Sequence, residues 1–149
     1  MSSVDCPIKG PWSRAEVERY LDDTVIPIRL SVVAPSGWPI VLSLWFMHEN
    51  GVLLCATQES ASVVRAIEAD GRCAFEVAGD APPYRGVRGR GRVTIEKADA
   101  PRVLGKLIDR FLPSRETQLA QWLLGRVEHE VCLRIEPTTL STWDYSGRM

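Results

Sequence analysis

Apolar and polar residues alternate along the middle of this chain in short runs, and the alternation has the period of a β-strand. Ile28 to Val33 is the first such run, and Pro27 opens it. Pro39 to Met47 is the second: Ile40, Leu42, Leu44 and Phe46 point one way, Val41, Ser43, Trp45 and Met47 the other. Asn50-Gly51 suits the positive backbone angles of a tight hairpin turn, so Val52 to Ala56 returns beside it. Arg72 to Ala78 places Cys73, Phe75 and Val77 on one face. Tyr84 to Lys97 is a long strand, and Val131 to Glu136 closes the series.

Three other stretches change period. Ser13 to Glu16 form a capping box that opens a helix over about 13–22, with Val17, Tyr20 and Leu21 on one face. Ser60 to Ala69 reads as a helix with Val63, Val64 and Ile67 inward, ended by Asp70-Gly71. Ala100 to Phe111 and Glu116 to Leu124 are also helical. Roughly six strands joined by tight turns, with few helices, predict a mainly β fold with peripheral α: a small barrel, whose closure removes exposed sheet edges. Doubly wound α/β topology does not suit hairpins this short. The expected organisation is one domain over 1–149, with the barrel at about 26–136 and a C-terminal tail over 137–149.

Composition narrows the function classes. The chain is 45% hydrophobic and 25% charged with a formal net charge of −1, which supports neither nucleic acid nor a membrane surface as a partner. Its N-terminus lacks the basic-then-apolar order of a signal peptide, and no apolar run reaches a membrane-spanning length. Cys6, Cys55, Cys73 and Cys132 are far apart, three of them inside apolar strands, which predicts free thiols in a reducing cytoplasm. With only His48 and His129, both expected at the surface, no metal site is expected. Nucleophile-elbow and phosphate-loop motifs are absent. The glycines at 86, 89 and 91 lie inside a strand, where they read as a bend or close packing.

Three features remain as candidates. The segment from Thr57 into the helix at Ser60 offers free amides, the Ser60 and Ser62 hydroxyls and Arg65 one turn in, the ingredients of an anion site; Ser60 as a plain N-cap is the alternative. The face with Ser43 and Trp45 is either a ligand pocket or a subunit interface. Arg88, Arg90 and Arg92 share one face of the long strand, with heads roughly 7 Å apart. They either pair with carboxylates such as Glu76 or steer an anionic ligand.

The order of these elements, from the turn at Ser36, Gly37, Trp38 and Pro39 through the Asn50-Gly51 hairpin to the Ser60 helix, resembles the split barrels related to pyridoxamine 5'-phosphate oxidase. The resemblance implies an FMN-binding split β-barrel of Greek-key type. It also implies a homodimer with the cofactor at the subunit interface, and hydride transfer to or from a small-molecule substrate. On that pattern, Ser43, Leu44, Trp45, Thr57, Ser60, Ser62, Val63, Arg65, Arg88, Arg90 and Trp143 are the expected cofactor-binding residues. Trp143 is otherwise a packing plug. Aligning Gly37 and Pro39 with the family's turn puts Leu42, Met47, Ala61, Ser62 and Val63 where those oxidases carry phosphate-binding residues, four of them cations. The implied function is therefore an FMN-dependent oxidoreductase other than a true pyridoxamine 5'-phosphate oxidase. A reductase using the deazaflavin coenzyme F-420, or a non-catalytic flavin-binding module, are the alternatives.

Overall fold

The computed structural model of the chain describes residues 6–149. Residues 1–5, which entered the reading of the N-terminus, lie outside the described residues. In chain order the elements are β1 (Ile8–Lys9), α1 (Arg14–Asp23), β2 (Ile28–Val33), β3 (Pro39–Leu44), β4 (Met47–Glu49), β5 (Val52–Gln58), α2 (Ser62–Ala69), β6 (Arg72–Ala78), β7 (Arg85–Glu96), α3 (Ala100–Phe111), α4 (Gln118–Leu124) and β8 (Glu130–Asp144). The sheet runs β3-β2-β6-β7-β8-β5-β4, with β1 added in parallel to β8. Every other pairing is antiparallel.

β3 and β4 lie at opposite ends of that order, yet only Trp45 and Phe46 separate them in the chain. The sheet must therefore curl until its ends meet, which makes the half-open barrel. This corrects the single strand expected over Pro39 to Met47. Side-chain alternation continues through Trp45 and Phe46, but the backbone changes partner from β2 to β5. Periodicity reports which face a residue occupies and is blind to which strand it pairs with.

The other differences have equally local causes. β8 runs to Asp144, so the expected tail from residue 137 is mostly strand. Pro137 sits at a β-bulge, where Arg90 faces Thr139 and Gly91 faces Pro137, leaving Thr138 as the extra residue. Its missing N–H falls where the ladder is already interrupted. Thr138 Oγ1 donates to the Arg90 carbonyl across the bulge at 3.1 Å. β1 has two residues, too few for a pattern to show. The hairpin turn forms as expected, with Asn50 at φ 50° and Gly51 at φ 81°. α2 starts two residues late, with Ala61 rather than Ser60 as N-cap. Glu59 N–H donates to the His129 carbonyl and Ala61 N–H to that of Gln58, so residues 58–61 form a turn of their own. α4 likewise starts at Gln118, capped by Thr117, whose hydroxyl accepts from Ala120 N–H.

The barrel interior is filled by Ile28, Leu30, Phe46, Leu53, Val77, Val87, Leu133 and Ile135, all at most 1% exposed. α1 adds Val17 and Leu21, and α2 adds Val63, Val64 and Ile67. A second cluster lies outside the barrel wall, where α3 sets Val103 and Leu107 against Val52, Leu54 and Cys132. All four cysteines are free and buried. Burial raises the Cys55, Cys73 and Cys132 thiols, Cys73 to about 11. His48 departs from its expected surface position: its side chain is only 10% exposed, with Nδ1 3.0 Å from Asp22 Oδ1. Among the described residues, no helix is long and apolar enough to cross a membrane.

Arg110 of α3 ties the end of α1 to the barrel. Its guanidinium donates to the carbonyls of Leu21, Asp22 and Thr24 at 2.8–2.9 Å and lies 5.3 Å from the Phe46 ring centroid. Truncation would leave the last carbonyls of α1 short of donors. Arg110→Ala should lower the unfolding free energy by about 2–3 kcal/mol, the scale of hydrogen bonds to a charged group. Urea denaturation reads this directly, and an unshifted midpoint would contradict the anchoring role.

Candidate functional site

α3 and α4 cover the outer face of the sheet only over β4, β5 and the first half of β8. Over β3, β2, β6, β7 and the second half of β8 the outward side chains meet no helix among the described residues, and the strand register arranges them in rows. One row reads Ser43, Arg29, Glu76, Arg88, Ser141; the next reads Val41, Ser31, Ala74, Arg90, Thr139. The small residues Ser31, Ala74, Thr139 and Ser141 stand beside the long side chains of Arg29, Glu76, Arg88 and Arg90. That difference in size hollows a groove of about 510 Å³, flanked at one side by Pro7 and Lys9 of the β1 segment.

The groove is electropositive. Lys9, Arg29, Arg88 and Arg90 line it against one carboxylate, Glu76. Arg29 Nη1 donates to Ser43 Oγ at 3.0 Å. Arg88 reaches Glu76 at 4.0 Å and lies over the Trp143 ring at 4.5 Å from its centroid. Among the described residues Arg90 has no ion pair. So the arginine face splits: Arg88 is weakly paired with Glu76 as one reading expected, Arg90 lines the groove without an ion pair among the described residues, and Arg92 lies beyond the groove opposite Arg72. Trp143 belongs to β8, opposite Gly86, where an added Cβ would come within 2.7 Å of the indole. It forms a flat wall beside Arg88.

Ser43, Leu44 and Trp45 line a different cavity, of about 240 Å³, beneath α3 and α4. Trp45 stacks on Phe111 of α3, with ring centroids 5.1 Å apart and planes 8° from parallel. Ser43 joins the two places, since it lines the cavity and holds Arg29 of the groove. Thr57, Ser60, Ser62, Val63 and Arg65 sit together at the β5–α2 junction and line neither. Val63 is buried in the core, which leaves only its backbone for a ligand. Arg65 Nη1 donates to the Ser60 carbonyl at 3.3 Å, so its head folds over its own turn.

The sequence reading missed Arg29, Ser31, Ala74, Ser141 and Lys9. Arg29 is a charged outward residue in an alternating strand, a signal that could have singled it out. Lys9 had none, because β1 is too short to recognise.

A flavin-type cofactor is a planar ring with an acidic tail. It needs apolar or aromatic walls, hydroxyl and amide partners, and cations. The groove has hydroxyls on Ser31, Ser141 and Thr139, cations on both sides, and Trp143 adjoining, and its volume lies within the range of small-molecule sites. Those residues fit such a group.

No protein-family model matches the chain, and no curated protein matches it in sequence. Solved structures do match in shape. A conserved hypothetical protein from Mycobacterium tuberculosis superposes with a TM-score of 0.78 at 21% identity, covering 91% of this chain and 86% of that one. An F-420 reductase matches with a TM-score of 0.68 at 25% identity, over 83% of this chain and 94% of its own. A Listeria innocua protein assigned as a pyridoxamine 5'-phosphate oxidase matches with a TM-score of 0.62 at 12% identity, covering 86% and 92%. The chain therefore has the split-barrel fold of the pyridoxamine 5'-phosphate oxidase-like proteins.

Proposed function

We propose that the protein is an oxidoreductase that binds a flavin-type cofactor in the electropositive groove, between two copies of the chain. The observation that carries this reading is the groove itself: four cations against one carboxylate, on the part of the outer sheet face that no helix covers among the described residues. The cofactor would supply the hydride chemistry, with a small-molecule substrate beside its ring. Arg29, Arg88, Arg90 and Lys9 would hold its anionic groups, the hydroxyls of Ser31, Thr139 and Ser141 its polar edges, and Trp143 would pack against it.

Spacing favours a deazaflavin such as coenzyme F-420 over FMN. Arg29 and Arg88 are two strands apart, roughly 10 Å, and Arg88 and Arg90 are roughly 7 Å apart along β7. Three cations spread over β2 and β7 can meet separate anionic groups of a longer acidic tail at the same time. The apolar residues Leu42, Met47, Ala61 and Val63 at the family's phosphate-binding positions agree with this. So does the likeness to an F-420 reductase. The test is retention. Incubate the protein with coenzyme F-420 or FMN, desalt, and record the visible spectrum. A retained deazaflavin band supports the reading, and loss of both cofactors overturns it.

The same face argues for a dimer. Val41 is 69% exposed on the groove wall, and Trp38 is 76% exposed at the turn between β2 and β3. A second copy would cover both. Light scattering should return about twice 16.6 kDa. A stable monomer would contradict the two-chain site.

A further inference from the structure

We infer that Arg29, held in place by Ser43, forms a second anion subsite in the groove and selects a ligand with two separated anionic groups. The identity of that ligand rests on the cofactor reading, whereas the subsite rests on the sheet. One row of residues crosses six strands: Ser43 of β3, Arg29 of β2, Glu76 of β6, Arg88 of β7, Ser141 of β8 and Lys9 of β1. Glu76, the carboxylate of the groove, therefore stands between Arg29 and Arg88.

Glu76 divides the cations that line the groove. Arg88, Arg90 and Lys9 lie on one side of it, and Arg29 lies alone on the other. An anionic group placed midway, where it could touch both Arg29 and Arg88, would sit over the Glu76 carboxylate and be repelled. Two anionic groups, one on each side, avoid that repulsion.

The two arginines also turn apart. Arg29 Nη1 donates to Ser43 Oγ at 3.0 Å, toward β3 and away from Glu76, and among the described residues Arg29 has no ion pair. Arg88 lies over the Trp143 ring of β8, 4.5 Å from its centroid, and keeps a contact of 4.0 Å with Glu76. Their strands are roughly 10 Å apart. Ser43 is a positioning residue here: its hydroxyl fixes a long side chain that would otherwise sample many rotamers, so less order is lost when a ligand binds.

A cofactor with one phosphate is drawn to the side with three cations and leaves Arg29 to water. A cofactor with a phosphate and a more distant carboxylate reaches both sides. Arg29 is then the residue that tells the two classes apart, with Glu76 as the repulsive element that keeps a single anion from using both arginines.

The experiment measures dissociation constants of coenzyme F-420 and FMN on the full-length protein and its variants. Arg29→Ala should weaken F-420 about tenfold, the scale of one charge-assisted contact, and change FMN less than about twofold. Ser43→Ala should weaken F-420 about threefold without moving FMN, and Ser43→Thr should keep the wild-type affinity. A serine with only a structural role would shift both cofactors together. Hexanediol bisphosphate and inorganic phosphate are probes independent of the cofactor reading. In NMR titrations the bisphosphate should bind about tenfold more tightly than phosphate, and Arg29→Ala should erase the difference. A wild type that binds neither cofactor but keeps this Arg29-dependent preference would overturn the cofactor reading and support the subsite. Equal losses of F-420 and FMN in Arg29→Ala, or a bisphosphate preference that is missing or survives that substitution, would overturn the inference.

Discussion

Replacing Arg88 and Arg90 together by alanine should weaken cofactor binding by roughly two orders of magnitude or more. Each charge-assisted contact is worth about 1.5–3 kcal/mol, and tenfold in affinity corresponds to about 1.4 kcal/mol. Both side chains are exposed on the outer face of β7. Arg88 makes a long ion pair with Glu76 and a cation–π contact with Trp143, and Arg90 has no ion pair among the described residues. Their removal should therefore leave the melting temperature nearly unchanged, which separates a binding role from a structural one. Salt adds a second readout. Binding to the wild type should weaken as ionic strength rises, because exposed charges are screened. The double variant should respond much less. Riboflavin, which lacks the anionic tail, should bind both proteins alike. An affinity for F-420 and FMN that ignores both arginines and salt would reduce the groove to a charged surface.

Gly91→Ala should cost about 3–5 kcal/mol of stability, placing it in the tail of single-residue effects. A Cβ at Gly91 would stand 2.2 Å from the Glu136 carbonyl oxygen and 3.0 Å from Pro137 Cα. These are backbone atoms at the β-bulge, so they cannot swing aside as a flexible side chain would. Gly89 is nearly as confined, with Phe75 Cζ at 2.6 Å and the Thr139 carbonyl oxygen at 2.7 Å. These glycines face inward, opposite the arginines. Relieving the clash would push β8 away from β7, and the groove floor at Thr139 and Ser141 would move with it. Denaturation curves should show the loss, and cofactor affinity should fall in the same variant. A Gly91→Ala protein as stable as the wild type would contradict this close approach of β7 to β8.

The fold was legible where local chemistry decides it. α1 begins at its capping box, β2 and β6 have the bounds that alternation implies, and α3 spans Ala100 to Phe111 as its apolar stripe requires. It was illegible where a distant partner decides. Pro137 reads as a strand end, and only its place opposite Gly91 reveals a bulge through which β8 continues. Trp45 and Phe46 keep the strand alternation while the ladder changes partner beneath them.

The candidate site follows the same division. The arginines of β7 share a face by strand geometry alone, so Arg88 and Arg90 could be named from sequence. Arg29, Glu76 and Ser141 join them only through the pairing register, which joins residues tens of positions apart. Trp143 was read as part of a tail, and the structure places it in β8 beside Arg88. The serines at 60 and 62 were read as opening a helix, and the turn that delays α2 is closed by His129, seventy residues beyond Glu59.

The most direct test of the central claim is a crystal structure of the protein with coenzyme F-420 or FMN bound. The account predicts the cofactor on the bare sheet face between two chains, with its anionic groups against Arg29, Arg88 and Arg90 and with Trp143 adjoining. A cofactor seated at the start of α2, its phosphate on Ser60, Ser62 and Arg65 and no contact to the arginines of β7, would contradict it.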